Sequence, residues 1–292
     1  MTSTNTRSVV SADGTRIGYQ AYGSGPGVVL VQGAMATAYQ YRELAEALAS
    51  SFTVYVPDRR GRGLSPHPYH DDHTVQTDVD DLAAMLGQTG ARFVYGLSSG
   101  ADIVLEAALR LPEIRKVAVY EPAIFPNGLS TTARRALVRF DRKIAAGRLP
   151  GAMVAAMKAA GFAPALLNYL PDWLLALPVR LLMNREAKNG SGDEPTMAEL
   201  AFALPYDFTI VGSMEHRIPA FRDIRVPVLL LGGSRSAAFL KPALNELESV
   251  IPGAKRVEFA GLDHAGSWNR DSKRNPHGDA ARVADALREF FA

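Results

Sequence analysis

Gly96-Leu97-Ser98-Ser99-Gly100 fits the pattern G-x-S-x-G, in which a serine hydroxyl stands on a sharp strand-to-helix turn and can attack a carbonyl carbon. The turn closes only where small residues flank the serine, and a glycine lies two positions away on each side. The pattern carries weight only in the right local structure. Residues 92–95 form a short apolar run that reads as a strand, and residues 101–111 continue as an apolar helix stopped by Pro112. Ser98 is therefore expected to be a nucleophile for acyl transfer.

A serine hydroxyl needs a base to take its proton. Of the six histidines, His264 lies in Gly261-Leu-Asp-His-Ala-Gly266, directly after an apolar run at 255–260, and is the expected base. The third member of such a triad is an acid that fixes the imidazole tautomer. Its usual place is the turn after the strand at 226–231, but that turn reads Gly232-Gly-Ser-Arg-Ser236, and Ser236 carries no charge. Glu121, at the end of the strand 116–120, is the expected acid, because neighbouring strand ends face one crevice. Asp263 and a bound water are the alternatives, with Asp263 expected to cap its own loop.

Acyl transfer also requires donors for the oxyanion. The amide of Ser99 is one candidate. The other is the amide of Ala34, in the loop Gln32-Gly33-Ala34-Met35, where Gly33 is expected to allow the bend. Gln32 is expected to brace that loop or to face outward. Substrate contacts are expected from Gln32, Met35, Leu97, Trp173 and Tyr206.

These residues must be held by a scaffold, and the chain offers one. Two antiparallel strands within residues 7–22 precede a strand at 28–31. Strands and helices then alternate: helix 39–50, strand 53–57, helix 75–88, strand 92–95, helix 99–110 and strand 116–120. Strand 226–231, helix 240–250, strand 255–260 and helix 279–291 complete the series. Such alternation predicts an α/β fold with a mostly parallel, eight-stranded sheet covered by helices on both faces. Residues 1–121 and 226–292 would form the core. The intervening 122–225 is helical in pattern, rich in Leu, Ala, Met and Pro, and is expected to be an inserted cap. Its apolar stretch 165–178 exceeds what one amphipathic face needs, so part of it is expected to line a pocket over Ser98.

Composition narrows the function. Lys and Arg number 32 against 30 Asp and Glu, a balance that predicts neither nucleic acid nor an anionic membrane as partner. The absence of cysteine excludes disulfides, thiolate metal sites and a cysteine nucleophile. The polar N-terminus lacks the apolar stretch of a signal peptide, so a cytoplasmic protein is expected. The expected partner is a small-molecule substrate, taken by a monomer or homodimer without a cofactor.

Other groups attract notice. His70-Asp-Asp-His73 resembles a metal cluster, but four consecutive residues cannot converge on one ion. Arg59, Arg60 and Arg62 could grip an anionic substrate or form a solvated rim paired with neighbours. Asp102 is expected along the surface of its helix, without a chemical role. Tyr206, Asp207 and Phe208 could bring a ring or carboxylate to the pocket, or simply pack.

With the elbow, the histidine loop and the Gln-Gly turn in place, the whole chain resembles the α/β-hydrolase superfamily. Asp58-Arg-Arg-Gly-Arg-Gly-Leu-Ser65, Tyr120-Glu-Pro122 and Leu204-Pro-Tyr-Asp-Phe208 resemble a group of bacterial members. An acid after the sixth strand is similar to the arrangement in some lactone hydrolases and haloalkane dehalogenases. Dehalogenases and epoxide hydrolases place a carboxylate at the nucleophile position, and Ser98 argues against both. Gln32 stands where the family commonly has histidine. The expectation is a Ser-His-Glu hydrolase of a carboxylic ester, lactone or thioester with an apolar body. A lyase, a cyclase, a carbon–carbon bond hydrolase or a ligand-binding module on the same scaffold are the alternatives.

Overall fold

The computed structural model describes residues 5–161, 170–189, 194–272 and 274–292. In a strand, successive side chains point to opposite faces, so a strand buried on both sides needs an unbroken apolar run. The central strands have one. In β3 (Gly27–Val31), Val28 and Leu30 enter the core on one face, while Val29 and Val31 enter the core on the other. The same division holds in β6 (Lys116–Tyr120), with Val117 and Val119 opposite Ala118 and Tyr120. It recurs in β7 (Val228–Gly233), with Val228 and Leu230 opposite Leu229 and Leu231.

These strands belong to one sheet of eight, in the order β1-β2-β4-β3-β5-β6-β7-β8. The others are β1 (Asn5–Val10), β2 (Arg16–Tyr22), β4 (Thr53–Pro57), β5 (Phe93–Leu97) and β8 (Lys255–Phe259). β1 pairs antiparallel with β2, and β2 antiparallel with β4; from β4 to β8 the sheet is parallel. Helices α1 (Arg42–Leu48) and α10 (Ala280–Phe291) bury Leu44, Leu48, Leu287 and Phe291 on one face. Helices α2 (Val75–Thr89), α3 (Ser99–Arg110) and α9 (Lys241–Val250) bury Val79, Ile103 and Leu247 on the other.

Between β6 and β7 the chain is helical: α4 (Thr131–Ala145), α5 (Leu149–Ala159), α6 (Asp172–Asn189), α7 (Met197–Ala201) and α8 (Leu204–Ser213). Phe140 of α4, Met153 of α5 and Leu204 of α8 form a third core, against which Ala34 and Met35 pack. This helical segment therefore sits directly on the loop that follows β3. Of the apolar stretch 165–178, residues 165–169 lie outside the described residues. Among the described residues, no helix is long and apolar enough to cross a membrane.

Three local expectations need correction. The helix expected at 39–50 is a 3-10 turn, Ala38–Tyr41, followed by the shorter α1. The strand expected to end at residue 231 runs on through Gly232 and Gly233, which pair with Glu258 and Phe259. A Cβ on Gly233 would lie 2.3 Å from the Leu262 carbonyl oxygen, and one on Gly232 would lie 2.9 Å from Leu244 Cδ1 and 3.1 Å from Glu121 Oε1, so these glycines serve close approach and not a turn. Asp102 is not on a helix surface: it is fully buried, and burial raises its carboxyl well above the ordinary range.

Candidate active site

The site lies at the carboxyl ends of the parallel strands, where open α/β sheets gather reactive groups. Ser98 occupies the junction of β5 and α3 with φ 57° and ψ −127°, a strained conformation for a residue with a side chain, costing about 1–3 kcal/mol. Its amide donates to the Tyr120 carbonyl at 3.0 Å, which fixes the turn against β6. The flanking glycines are there for contact. A Cβ on Gly96 would stand 2.5 Å from the Gly100 carbonyl oxygen, and one on Gly100 would stand 2.5 Å from the carbonyls of Val31 and Gln32.

Gly33 is required for a similar reason. A Cβ there would lie 2.8 Å from Ser98 Cβ, so the loop after β3 passes directly over the serine. The bend expected at Gly33 falls instead on Met35, whose φ is 58°. The Ala34 amide has no acceptor among the described residues. Ser99 is the first residue of α3, so its amide belongs to the turn of a helix that lacks intrahelical acceptors.

Glu121 directly follows β6 with φ 43°, and its amide donates to the Leu231 carbonyl at 3.0 Å. This places the carboxylate across the end of β7. Oε1 accepts from the Gly233 amide at 2.7 Å, and Oε2 lies 2.7 Å from His264 Nδ1. An ionised carboxylate only accepts, so Nδ1 is the donor in this contact. The histidine loop is pinned from below: Tyr120 Oη donates to the Asp263 carbonyl at 2.8 Å. Asp263 itself accepts from the Ala265 amide at 3.0 Å, within its own loop. Ser236, in the turn where an acid is usual, is 9% exposed, and its Oγ has no partner among the described residues.

Ser98 and His264 share a cavity of about 480 Å³. Ala34, Met35 and Leu97 line it from the core; Met153, Met157 and Phe208 line it from the helical segment. Gln32, Trp173 and Tyr206, expected at the substrate, are not among its described lining residues. Gln32 is buried and donates to the Pro57 carbonyl, bracing the loop. Trp173 is 70% exposed on α6. Tyr206 is buried against Gly61 and donates to the His67 carbonyl at 3.0 Å. Sequence reasoning missed Met153, Ala156, Met157 and Ala160, although their spacing of i, i+3, i+4 and i+7 marks one face of a helix. A cleft of about 980 Å³ at the opposite ends of the strands, beside Lys116 and Lys255, contains none of the site residues.

The arginines after β4 form neither a solvated rim nor an open anion site. Arg59, Arg60 and Arg62 are buried. Arg60 pairs with Asp81 and Asp13, each at 2.6 Å. Arg59 pairs with Asp78 at 3.0 Å and with Asp207 of α8 at 2.7 Å; Arg62 pairs with the other oxygen of Asp207 at 2.9 Å. The same guanidiniums donate to the Gln32 and Gly33 carbonyls at 3.2 and 2.9 Å. Ser99 Oγ donates to Asp207 at 2.7 Å. One carboxylate from the helical segment thus joins the arginine loop, the loop over Ser98 and the first turn of α3. His73, of the apparent metal cluster, instead faces Asp78, with Nε2 at 2.8 Å.

Burial pushes the carboxyls of Asp78 and Asp207 up, but the adjacent arginines outweigh it, and Asp78 is lowered to about 2. Breaking a buried pair typically costs about 3–5 kcal/mol, so Asp207→Asn should lower stability on that scale. Because the folded carboxyls ionise below their unfolded range, their contribution is complete above about pH 4 and is lost as the pH falls below it. Urea unfolding at several pH values should show the variant losing less stability on acidification than the parent chain.

The family model described as the alpha/beta hydrolase family matches residues 28–286. Among solved structures, an alpha/beta hydrolase from Sphaerobacter thermophilus DSM 20745 is 32% identical, with a TM-score of 0.74, covering 98% of this chain and all of that one. The uncharacterized hydrolase YraK of Bacillus subtilis is 36% identical over 115 residues, 38% of this chain and 42% of that protein. The chain thus spans under half the length of that relative. The 2-(acetamidomethylene)succinate hydrolase of Mesorhizobium japonicum is 25% identical over 245 residues, 83% of this chain and 82% of that protein. With a match running from β3 into α10, across the parallel sheet and every strand end described above, the chain belongs to the alpha/beta hydrolase family.

Proposed function

We propose that the protein is a serine hydrolase that cleaves a carboxylic ester, lactone or thioester of a largely apolar small molecule, with residues 122–225 as its cap. The observation that carries this reading is the contact of 2.7 Å between Glu121 and His264 Nδ1, on a histidine that shares the cavity with Ser98. Ser98 Oγ attacks the carbonyl carbon while His264 Nε2 takes its proton. Glu121 holds the tautomer and stabilises the imidazolium. The amides of Ala34 and Ser99 receive the oxyanion. His264 then protonates the leaving group, and water releases the acyl group from Ser98.

The uncharged Ser236 after β7 favours a ligand-binding module with little turnover, whereas the Glu121 carboxylate reaching the imidazole from the end of β6 supports the hydrolase. Labelling with a fluorophosphonate tests the reading, since only an activated serine reacts. The probe should attach to Ser98, identified by peptide mass, and prior labelling should abolish hydrolysis of p-nitrophenyl acetate. An unlabelled Ser98 in folded protein would refute the assignment.

A further inference from the structure

Ser98 and His264 line a second cavity as well, of about 70 Å³, which also shares Ala34, Ala160 and Phe208 with the larger one. The nucleophile therefore stands where two unequal spaces meet. A carbonyl carbon held at Ser98 carries two substituents that diverge, and each space can receive one. The smaller space is walled by Phe125, Leu129, Leu137, Val211 and Phe239. Its polar neighbours are already engaged: Ser99 Oγ donates to Asp207, and Asp207 is held by Arg59 and Arg62. An apolar cavity of about 150 Å³ takes a six-carbon ring, so half that volume accommodates about two or three carbons. The larger space lies within the range of about 300–1,000 Å³ typical of small-molecule sites.

We infer that the substrate is an ester with unequal arms, one a hydrocarbon of two or three carbons seated against Leu137 and Phe239, the other a large, mostly apolar body under Met153 and Met157. The inference rests on Ser98 being the nucleophile. It excludes esters in which both arms are long, and it makes α4 and the 3-10 turn after β7, Ala238–Leu240, the elements that set the length limit. Enlarging the small space by removing side-chain volume at Leu137 should relax the limit.

Three fluorophosphates test it, because fluoride leaves when Ser98 Oγ bonds to phosphorus and the two alkoxy arms remain. The rate of Ser98 labelling should be high for the diethyl compound and at least as high for the ethyl octyl compound. It should be at least tenfold lower for the dioctyl compound, and Leu137→Ala should narrow that gap at least fivefold. A dioctyl rate within tenfold of the ethyl octyl rate in the parent chain would overturn the inference while leaving the nucleophile assignment intact. Failure of even the diethyl compound to label Ser98 would overturn both.

Discussion

Replacing Ser98 with alanine should reduce hydrolysis of p-nitrophenyl acetate by about 10⁶-fold, the scale seen when the nucleophile of a serine triad is removed. The loss should appear in kcat, because the oxygen that forms the acyl bond is gone while the cavity walls remain. Stability should change little. Alanine must adopt the same φ of 57°, so the backbone strain is unaltered, and the elbow is held by the amide of residue 98 and by Gly96 and Gly100, not by the hydroxyl. A kcat within a hundredfold of the parent, in protein with an unchanged urea midpoint, would assign the attack to another group.

Glu121→Gln should cost about 10⁴-fold in kcat, the effect of neutralising a triad acid without moving it. The geometry gives the reason. Oε1 accepts from the Gly233 amide, and a glutamine can keep that bond only by presenting its carbonyl oxygen there. Its NH₂ then faces His264 Nδ1, which must become an acceptor, so the ring proton moves to Nε2 and the base is lost. Steady-state rates across pH measure the loss, and ¹⁵N shifts of the imidazole report the tautomer. A drop below tenfold would place the acid elsewhere.

Much of the fold was legible because its signals are local. The apolar runs of β3, β5, β6 and β7 and the glycines around Ser98 are each contained within a few residues, and strand-end logic brought Glu121 and His264 to one place. What escaped depended on distant partners. Arg59 and Arg62 read as an anion grip or a solvated rim because the counter-charge they share, Asp207, lies 148 and 145 positions away. Gly232 and Gly233 read as a turn because the atoms that exclude a side chain there, Leu244 and Glu121 at the first and the Leu262 carbonyl at the second, are not visible in their own segment. Tyr206 and Trp173 were assigned to the pocket by residue type, whereas the helix face of Met153 and Met157 carried the positional signal.

The clasp around Asp207 makes roof and floor one mechanical piece. The carboxylate of α8 is gripped by the two guanidiniums that hold the loop over Ser98, so this edge of the helical segment is bolted to that loop. A foreign helical segment grafted in its place would have to bring its own acid to that socket. Without it, Arg62 would be left without a carboxylate and Arg59 with Asp78 alone, and the loop over Ser98 would lose part of its support.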